Sequence, residues 1–408
     1  MYIHERKDWP RFHWSTDKLA EPLADVSRRQ GRLIGHMEAL GFNLQQEAVL
    51  QTLTADVLKS SEIEGERLDA EQVRSSIARH LGIDIGALKP ADRHVEGIVE
   101  MMLDATRHYN RPLTEERLFA WHASLFPTGR SAMTKITTGA WRDDRTGPMQ
   151  VVSGPMGKER VHFEAPAAKR LPREMRAFLA WFASKEPMDP ILKAGLAHLW
   201  FVTIHPFDDG NGRIARAIAD MALARSENSS QRFYSMSAQI RQERNDYYDT
   251  LEAAQKGTMD VTPWMEWFLC CLGRAIDGAQ GTLSNVLAKA RFWDRIKDVP
   301  LNDRQRSIIN RLIDGFEGTR RTATFSRWSI RALSSAIPKA DAARAIHSLD
   351  LHKPGGWLTH RRQVPLASSG KTMPCEPSRV MTPEAMRKFA TARESAKISC
   401  SAWCAGVP

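Results

Sequence analysis

A mainly α-helical protein with one β-hairpin is what the 408-residue sequence predicts. Three observations carry that expectation. Apolar residues recur at three- and four-residue spacing through most of residues 1–318. A single stretch of the body has β-prone runs parted by glycine and proline. No block of sequence repeats, which excludes a solenoid or propeller.

From about Glu21 to Gly86 the pattern is helical, as in Leu50, Leu53, Val57 and Leu58 of "EAVLQTLTADVLKSSEIEG". The run "HVEGIVEMMLDATRHY" continues it, and Thr114 ahead of two glutamates reads as a helix start in "RPLTEERLFAWHASLF". In "MQVVSGPMGKERVHF", Gln150 to Ser153 and Arg160 to Phe163 read as two strands of a hairpin joined by a glycine- and proline-bearing loop. Helices resume in "LPREMRAFLAWFAS", "ILKAGLAHLWFVTI", "RIARAIADMALAR", "NDYYDTLEAAQKG" and "TPWMEWFLCCLGRAI". One more amphipathic helix, "LNDRQRSIINRLIDGFEG", sets Ile309, Leu312, Ile313 and Phe316 on one face. Beyond Gly318 periodicity fades into a Ser-, Arg-, Ala- and Pro-rich tail to which no fold is assigned.

A hydrophobic content of 42% is ordinary for a globular chain of this length, which is enough for two or three cores. The opening "MYIHERKDWPRFHW" is charged and aromatic, and no later stretch reaches the roughly 20 apolar residues of a membrane span, so the expected compartment is the cytoplasm, with no membrane partner. Five cysteines, two of them adjacent at Cys270 and Cys271, argue for reduced thiols rather than a disulfide framework. The net charge of +10 sits in the tail, because residues 319–408 hold 15 Lys and Arg against 5 Asp and Glu. The body is therefore neutral, and any electrostatic attraction to nucleic acid belongs to the tail.

The densest chemistry lies in "IHPFDDGNGRIARAIAD", Ile204 to Asp220. Pro206 disfavours helical geometry at His205, so the chain leaves one helix there and enters another after Gly210-Asn211-Gly212. A glycine-containing loop that runs into a helix amino terminus presents unpaired N–H groups and the positive end of the helix dipole, which suits phosphate. Arg213 and Arg216, three apart, extend that site for a row of phosphates. Asp209 beside phosphate calls for a cation between them, and magnesium is held by one or two carboxylates with phosphate oxygens. His205, with an ordinary pKa near neutrality and a place at the rim, is positioned to take a proton from an incoming hydroxyl.

His205-Pro206-Phe207-Asp208-Asp209-Gly210-Asn211-Gly212-Arg213-Ile214-Ala215-Arg216 resembles the complete signature of the Fic family, whose members usually transfer AMP from ATP to a protein hydroxyl. The resemblance implies His205 as general base and Asp209 as the Mg2+ ligand. It gives Asn211 and the main chain of Gly210 and Gly212 to the α-phosphate, Arg213 and Arg216 to the distal phosphates, and Phe207 the task of anchoring the loop. "YYDTLEAAQKG" is similar to the family's adenine-side helix, which puts Tyr248 and Gln255 beside the base, although Gln255 stands where relatives often have Asn. The hairpin resembles the family's flap, whose edge, here Val151 and Val152, pairs with the backbone of a target by β-augmentation. Read alone, Tyr248 serves equally as a core aromatic and the hairpin as a cover for the core.

Glu62, Glu64 and Glu66 surround Gly65, a residue suited to ending a helix, and carboxylates at that end want cationic partners. Ser60-x-x-x-Glu64-Gly65 resembles the Fic inhibitory motif of the class that carries its inhibitory helix before the core. That resemblance implies that Glu64 pairs with Arg216 and denies ATP its productive pose. It also implies a helical amino-terminal domain at 1–90, a catalytic core at 91–275 with a flap at 149–163, and a helical linker or winged-helix start at 276–318, ahead of the tail at 319–408. The implied partners are ATP, a protein with a Ser, Thr or Tyr hydroxyl, this chain itself as a target, and a second copy of the chain. Removal of AMP, with Glu64 orienting water, is the alternative activity within the family. A DNA-binding regulator with a basic carboxy-terminal region is the alternative from another class. The shift in charge near Gly318 also raises a change of reading frame, which translation of the other two frames of the gene tests.

Overall fold

In the computed structural model, residues 1–296 are described, apart from 87, 146, 155–157 and 186. The amphipathic run at 301–318, the tail and the readings attached to them lie outside the described residues. Residues 1–283 belong to one compact unit; of a second unit only 284–296, the end of the last helix, is described. No helix among the described residues is long and apolar enough to cross a membrane.

Helices α1 (Thr16–Glu38), α2 (Phe42–Ile63), α3 (Ala70–Leu81), α4 (Arg93–Arg107) and α5 (Glu115–Leu125) come first. Two antiparallel hairpins follow, β1 (Arg130–Ser131) with β2 (Thr134–Lys135) and β3 (Gln150–Ser153) with β4 (Arg160–Glu164). The remaining helices are α6 (Leu171–Ala183), α7 (Pro190–Ile204), α8 (Asn211–Glu227), α9 (Met236–Gln242), α10 (Arg244–Lys256) and α11 (Thr262–Arg295). The hairpin at 150–164 forms where the two β-prone runs predict it. The β1–β2 pair is a correction to a single β element: its four residues are polar and too short to show any period of two. Helix α1 begins at Thr16, ahead of the apolar run near Glu21, because Ser15 caps it by accepting from the Lys18 N–H.

Helix starts follow local chemistry. Asp69, Asp92, Thr114 and Asp189 each accept backbone N–H groups in the first turn of α3, α4, α5 and α7. The centre of the fold is the α7–α8 pair. Nearly every side chain of α7 from Ile191 to Ile204 is buried, as are those of α8 from Ile214 to Ala224, so both helices are enclosed all round. Helices α2, α4, α5 and α9 pack on α8, and α6 packs on α7. The chain's first residues are pinned to this core: His13 exchanges backbone hydrogen bonds with Met259 and Val261, and Trp9 donates to Glu174 over 2.9 Å.

A buried ionic network joins α2, α8 and α9. Arg232 is 2% exposed and bonds Asp220 at 2.9 Å and Glu227 at 3.0 Å. Asp56 of α2 accepts from Ser235 and from the Ser237 N–H, and lies beside Asp220. Burial and the neighbouring Asp56 charge push the Asp220 carboxyl well above its ordinary value.

Close approach of α4 and α5 depends on Gly97, where a Cβ would stand 1.8 Å from the Ser124 carbonyl oxygen. Gly97→Ala is expected to destabilise the protein by roughly 3 kcal/mol, since two rigid backbones have to part. Urea unfolding checks this as a lowered midpoint with an unchanged slope.

Candidate active site

The loop from His205 to Gly210 joins α7 to α8. His205 caps α7 with a left-handed backbone, φ 52°, a strained geometry for a non-glycine residue. Its Nδ1 lies 3.1 Å from the Val202 carbonyl, so Nδ1 carries the proton and Nε2 is the basic nitrogen of the neutral ring. The sequence reading sets this histidine at the rim with a near-neutral pKa; instead it is 4% exposed, and burial pushes its pKa down to about 4. It is therefore neutral at pH 7.

Phe207 is fully buried and stacks on His122, with centroids 4.2 Å apart and planes at 7°. Asn211 clamps the loop from inside, accepting from the Phe207 N–H at 3.0 Å and donating to the Phe207 carbonyl at 2.8 Å. Its side chain thus holds the loop's shape, and the main-chain N–H groups are the other donors at this end of the helix. His122 donates to the Asp209 carbonyl at 3.2 Å while accepting from the Gly139 N–H. Arg142, 3% exposed, donates to the His205 and Pro166 carbonyls and pairs with Asp144. Sequence reasoning missed both His122 and Arg142. His122 sits in an amphipathic run like any core residue, and "WRDDRTG" reads as an exposed charged turn.

Asp209 accepts from the Gly210 N–H at 2.6 Å and from the Ser131 hydroxyl of β1. Burial pushes its carboxyl above the ordinary value. Among the described residues the only trio with metal-ligand spacing is His80, Glu96 and Glu100, away from this loop. Asp209 is thus a half-buried carboxylate beside the amino end of α8, within reach of the Glu64 charge, a donor set that fits magnesium better than a metal needing three protein ligands.

Gly210 has φ 79°, and a Cβ there would meet the Phe126 ring at 2.9 Å. At Gly212 a Cβ would stand 2.3 Å from Glu64 Oε1, so the absence of a side chain is what admits that carboxylate to the amino end of α8. Helix α2 ends at Glu64, and Gly65 turns the chain with φ 84°. Arg216 Nη2 donates to Glu64 Oε1 at 2.7 Å and to the Ser60 carbonyl at 2.9 Å, and its Nε donates to Ser60 Oγ at 2.9 Å. Arg213 donates to Glu66 at 3.1 Å and lies 5.1 Å over the Phe126 ring. Glu66, bonded also to His94, is a second carboxylate at the site to which the sequence reading gave no partner. Arg213 Nε and Arg216 Nη1 are buried without hydrogen-bond partners, which marks a place built for more negative charge.

A narrow cleft of about 40 Å³ opens beside this helix start. Its walls are Glu64, Val202, His205 and Gly212 on one side, Val151, His162 and Phe163 of the β3–β4 hairpin on another, and Tyr247, Tyr248, Leu251, Glu252 and Gln255 of α10. Both tyrosines of the pair line it: Tyr247 is 1% exposed and bonds His198 at 3.0 Å, while Tyr248 lies under Arg244. Gln255 is buried and donates to Thr203 at 3.4 Å. Val152 is buried behind a bulge that separates it from Val151.

His122 and His198 are buried neutral, with burial pushing their pKa values down to about 4 and about 3 from an ordinary 6.5. Between the ordinary and the folded values the unfolded chain binds more protons, so stability falls as pH drops below 6.5. At pH 5 each histidine should cost about 2 kcal/mol relative to pH 7, and urea titrations at the two pH values, with His198→Gln reducing the difference by about that one share, check it.

With the geometry described, the likeness to known proteins is specific. Residues 2–83 match a domain of unknown function, DUF4172, and residues 112–223 match the Fic/DOC family. A protein adenylyltransferase Fic of Nematostella vectensis is 39% identical over 114 residues, 28% of this chain and 25% of the relative. Another from Aedes aegypti is 26% identical over 281 residues, 67% of this chain and 48% of the relative. The chain thus spans about half or less of the length of the curated relatives it matches. A Fic family protein from Desulfovibrio desulfuricans G20, known from its crystal structure, superposes with a TM-score of 0.50 at 25% identity, covering 66% of this chain and 76% of that one. The mostly helical body has the Fic fold, and residues 112–223 carry a Fic/DOC domain.

Proposed function

We propose that this chain transfers AMP from ATP to a hydroxyl side chain of a protein, and that Glu64 holds it at rest. The observation that carries the reading is the seat of Glu64, whose carboxylate pairs with Arg216 at 2.7 Å where the amino end of α8 attracts anions. A carboxylate there takes the place of a phosphate oxygen. With Glu64 withdrawn, Arg213, Arg216 and the N–H groups of the Gly210–Gly212 turn face a polyphosphate. The two buried guanidinium nitrogens without partners support that assignment. Asp209 would hold magnesium, which would neutralise charge between the carboxylate and the phosphates. Tyr248 and Gln255 flank the base, and the Val151–Val152 edge aligns the target backbone. His205, neutral at pH 7 with Nε2 unprotonated, takes the hydroxyl proton as the oxygen attacks the α-phosphorus and pyrophosphate departs. The adenylyltransferase names of the relatives support the reaction type.

Removal of AMP is the second reading, favoured by the presence of Glu64 and His205 in one cleft, where both can face a water. Transfer of α-labelled AMP to the protein itself and to a lysate, with magnesium, separates the two. Wild type should label weakly, Glu64→Gly roughly 10- to 100-fold more, and Glu64→Gly/His205→Ala at least about 100-fold less than the single variant. A folded, ATP-binding Glu64→Gly protein that labels nothing overturns AMP transfer, and release of AMP from prelabelled protein by wild type supports removal.

A further inference from the structure

Glu64 and Glu66 leave α2 as a pair. At the Gly65 turn the Glu64 and Glu66 N–H groups both donate to the Ser61 carbonyl, at 3.1 and 3.0 Å, and the Gly65 N–H donates to the Glu62 carbonyl at 3.1 Å. The two carboxylates are therefore carried on one tight turn and meet α8 together, Glu64 at Arg216 and Glu66 at Arg213. The second contact differs from an ordinary surface ion pair, because the Arg213 side chain is 5% exposed and lies over the Phe126 ring. Glu66 is held on its other side as well: its Oε1 meets His94 Nε2 at the start of α4, and His94 Nδ1 lies 3.2 Å from the Leu125 carbonyl. Burial opposes the Glu66 charge, but His94 and Arg213 outweigh it and hold the carboxyl below its ordinary value. Even so, Glu66 bonds only Arg213 Nη1 and leaves the buried Nε without a partner. A phosphate, with oxygens for two guanidinium nitrogens at once, fits that place better than the carboxylate now in it.

We propose that Glu66 is a second inhibitory carboxylate, which occupies Arg213 and bars the phosphate next to the α-phosphate, while Glu64 at Arg216 bars the terminal one. This rests on the nucleotide site of the reading above. The division follows from order along α8: Arg213 stands in the first turn, beside the Gly210–Gly212 N–H groups, and Arg216 one turn further on. At rest the site is then closed to a nucleoside diphosphate as well as to a triphosphate, and open to a monophosphate. Because one turn carries both acids, a movement that withdraws Glu64 also withdraws Glu66, and both arginines are released to the phosphates together.

The test is calorimetric titration of the full chain with AMP, ADP and ATP, each with magnesium, comparing wild type, Glu66→Gln and Glu66→Ala. Both substitutions are expected to tighten ADP and ATP about tenfold and to leave AMP within about twofold. In the Glu64→Gly background, Glu66→Gln should lower the KM for ATP in labelling of lysate proteins by about the same factor with kcat unchanged, a split that loss of a merely structural contact does not produce. ADP affinity unmoved by either substitution overturns the inference. Equal tightening of all three nucleotides also overturns it, since Glu66 would then act as a general negative field and not as the occupant of Arg213. Labelling by Glu64→Gly alongside either of those results leaves AMP transfer standing. Tightened ADP with no label in any variant sustains the role of Glu66 and overturns AMP transfer, and a folded protein that binds none of the nucleotides in any variant overturns both.

Discussion

The start of α8 is buried at the centre of the protein, and an enclosed helix amino terminus must be met by negative charge. Two arginines on the same helix, Arg213 and Arg216, add to the positive field rather than relieve it. Glu64 and Glu66, carried on the segment that follows α2, supply the compensation. The fold around them serves that encounter. Gly212 leaves room for the Glu64 carboxylate, Ser60 fixes the guanidinium from both its hydroxyl and its carbonyl, and α2 packs on α8 and α9 to bring the acids to the right place.

The loop itself is rigid for separable reasons. Asn211 ties it across its own width, Phe207 roots it on His122, and Arg142 grips its first carbonyl. The left-handed backbone at His205 persists because these contacts over-determine it. An imidazole held this way has its tautomer chosen by the Val202 carbonyl and its neutral state at pH 7 by burial.

Much of this was legible in the sequence because it is local. The order of residues from His205 to Arg216, the helix end at Gly65 and the hairpin at 150–164 each follow from chemistry within a few positions. Pairings between distant segments were legible only where a resemblance supplied them, as for Glu64 and Arg216. Glu66 with Arg213, Ser131 with Asp209 and Arg142 with the His205 carbonyl join residues 147, 78 and 63 positions apart, and no local pattern announces them. The burial of His205 was misjudged for the same reason, since what covers a loop comes from elsewhere in the chain.

The ionic network around Arg232 bears on where one domain ends and another begins. Asp56 lies one turn before Ser60 on α2, and Asp220 one turn after Arg216 on α8, with Arg232 and Glu227 closing the group away from water. Arg232 pairs with Asp220 and Glu227 of α8, and Asp56 ties α2 to the same group through Ser235 and Ser237, so parting α2 from α8 would break those two buried hydrogen bonds. Sequence comparison draws two modules, residues 2–83 and 112–223, but the interior recognises no such seam. The unit that folds and the modules that sequence comparison draws are different objects in this protein, and the segment that carries Glu64 belongs to the same compact body as the loop it contacts.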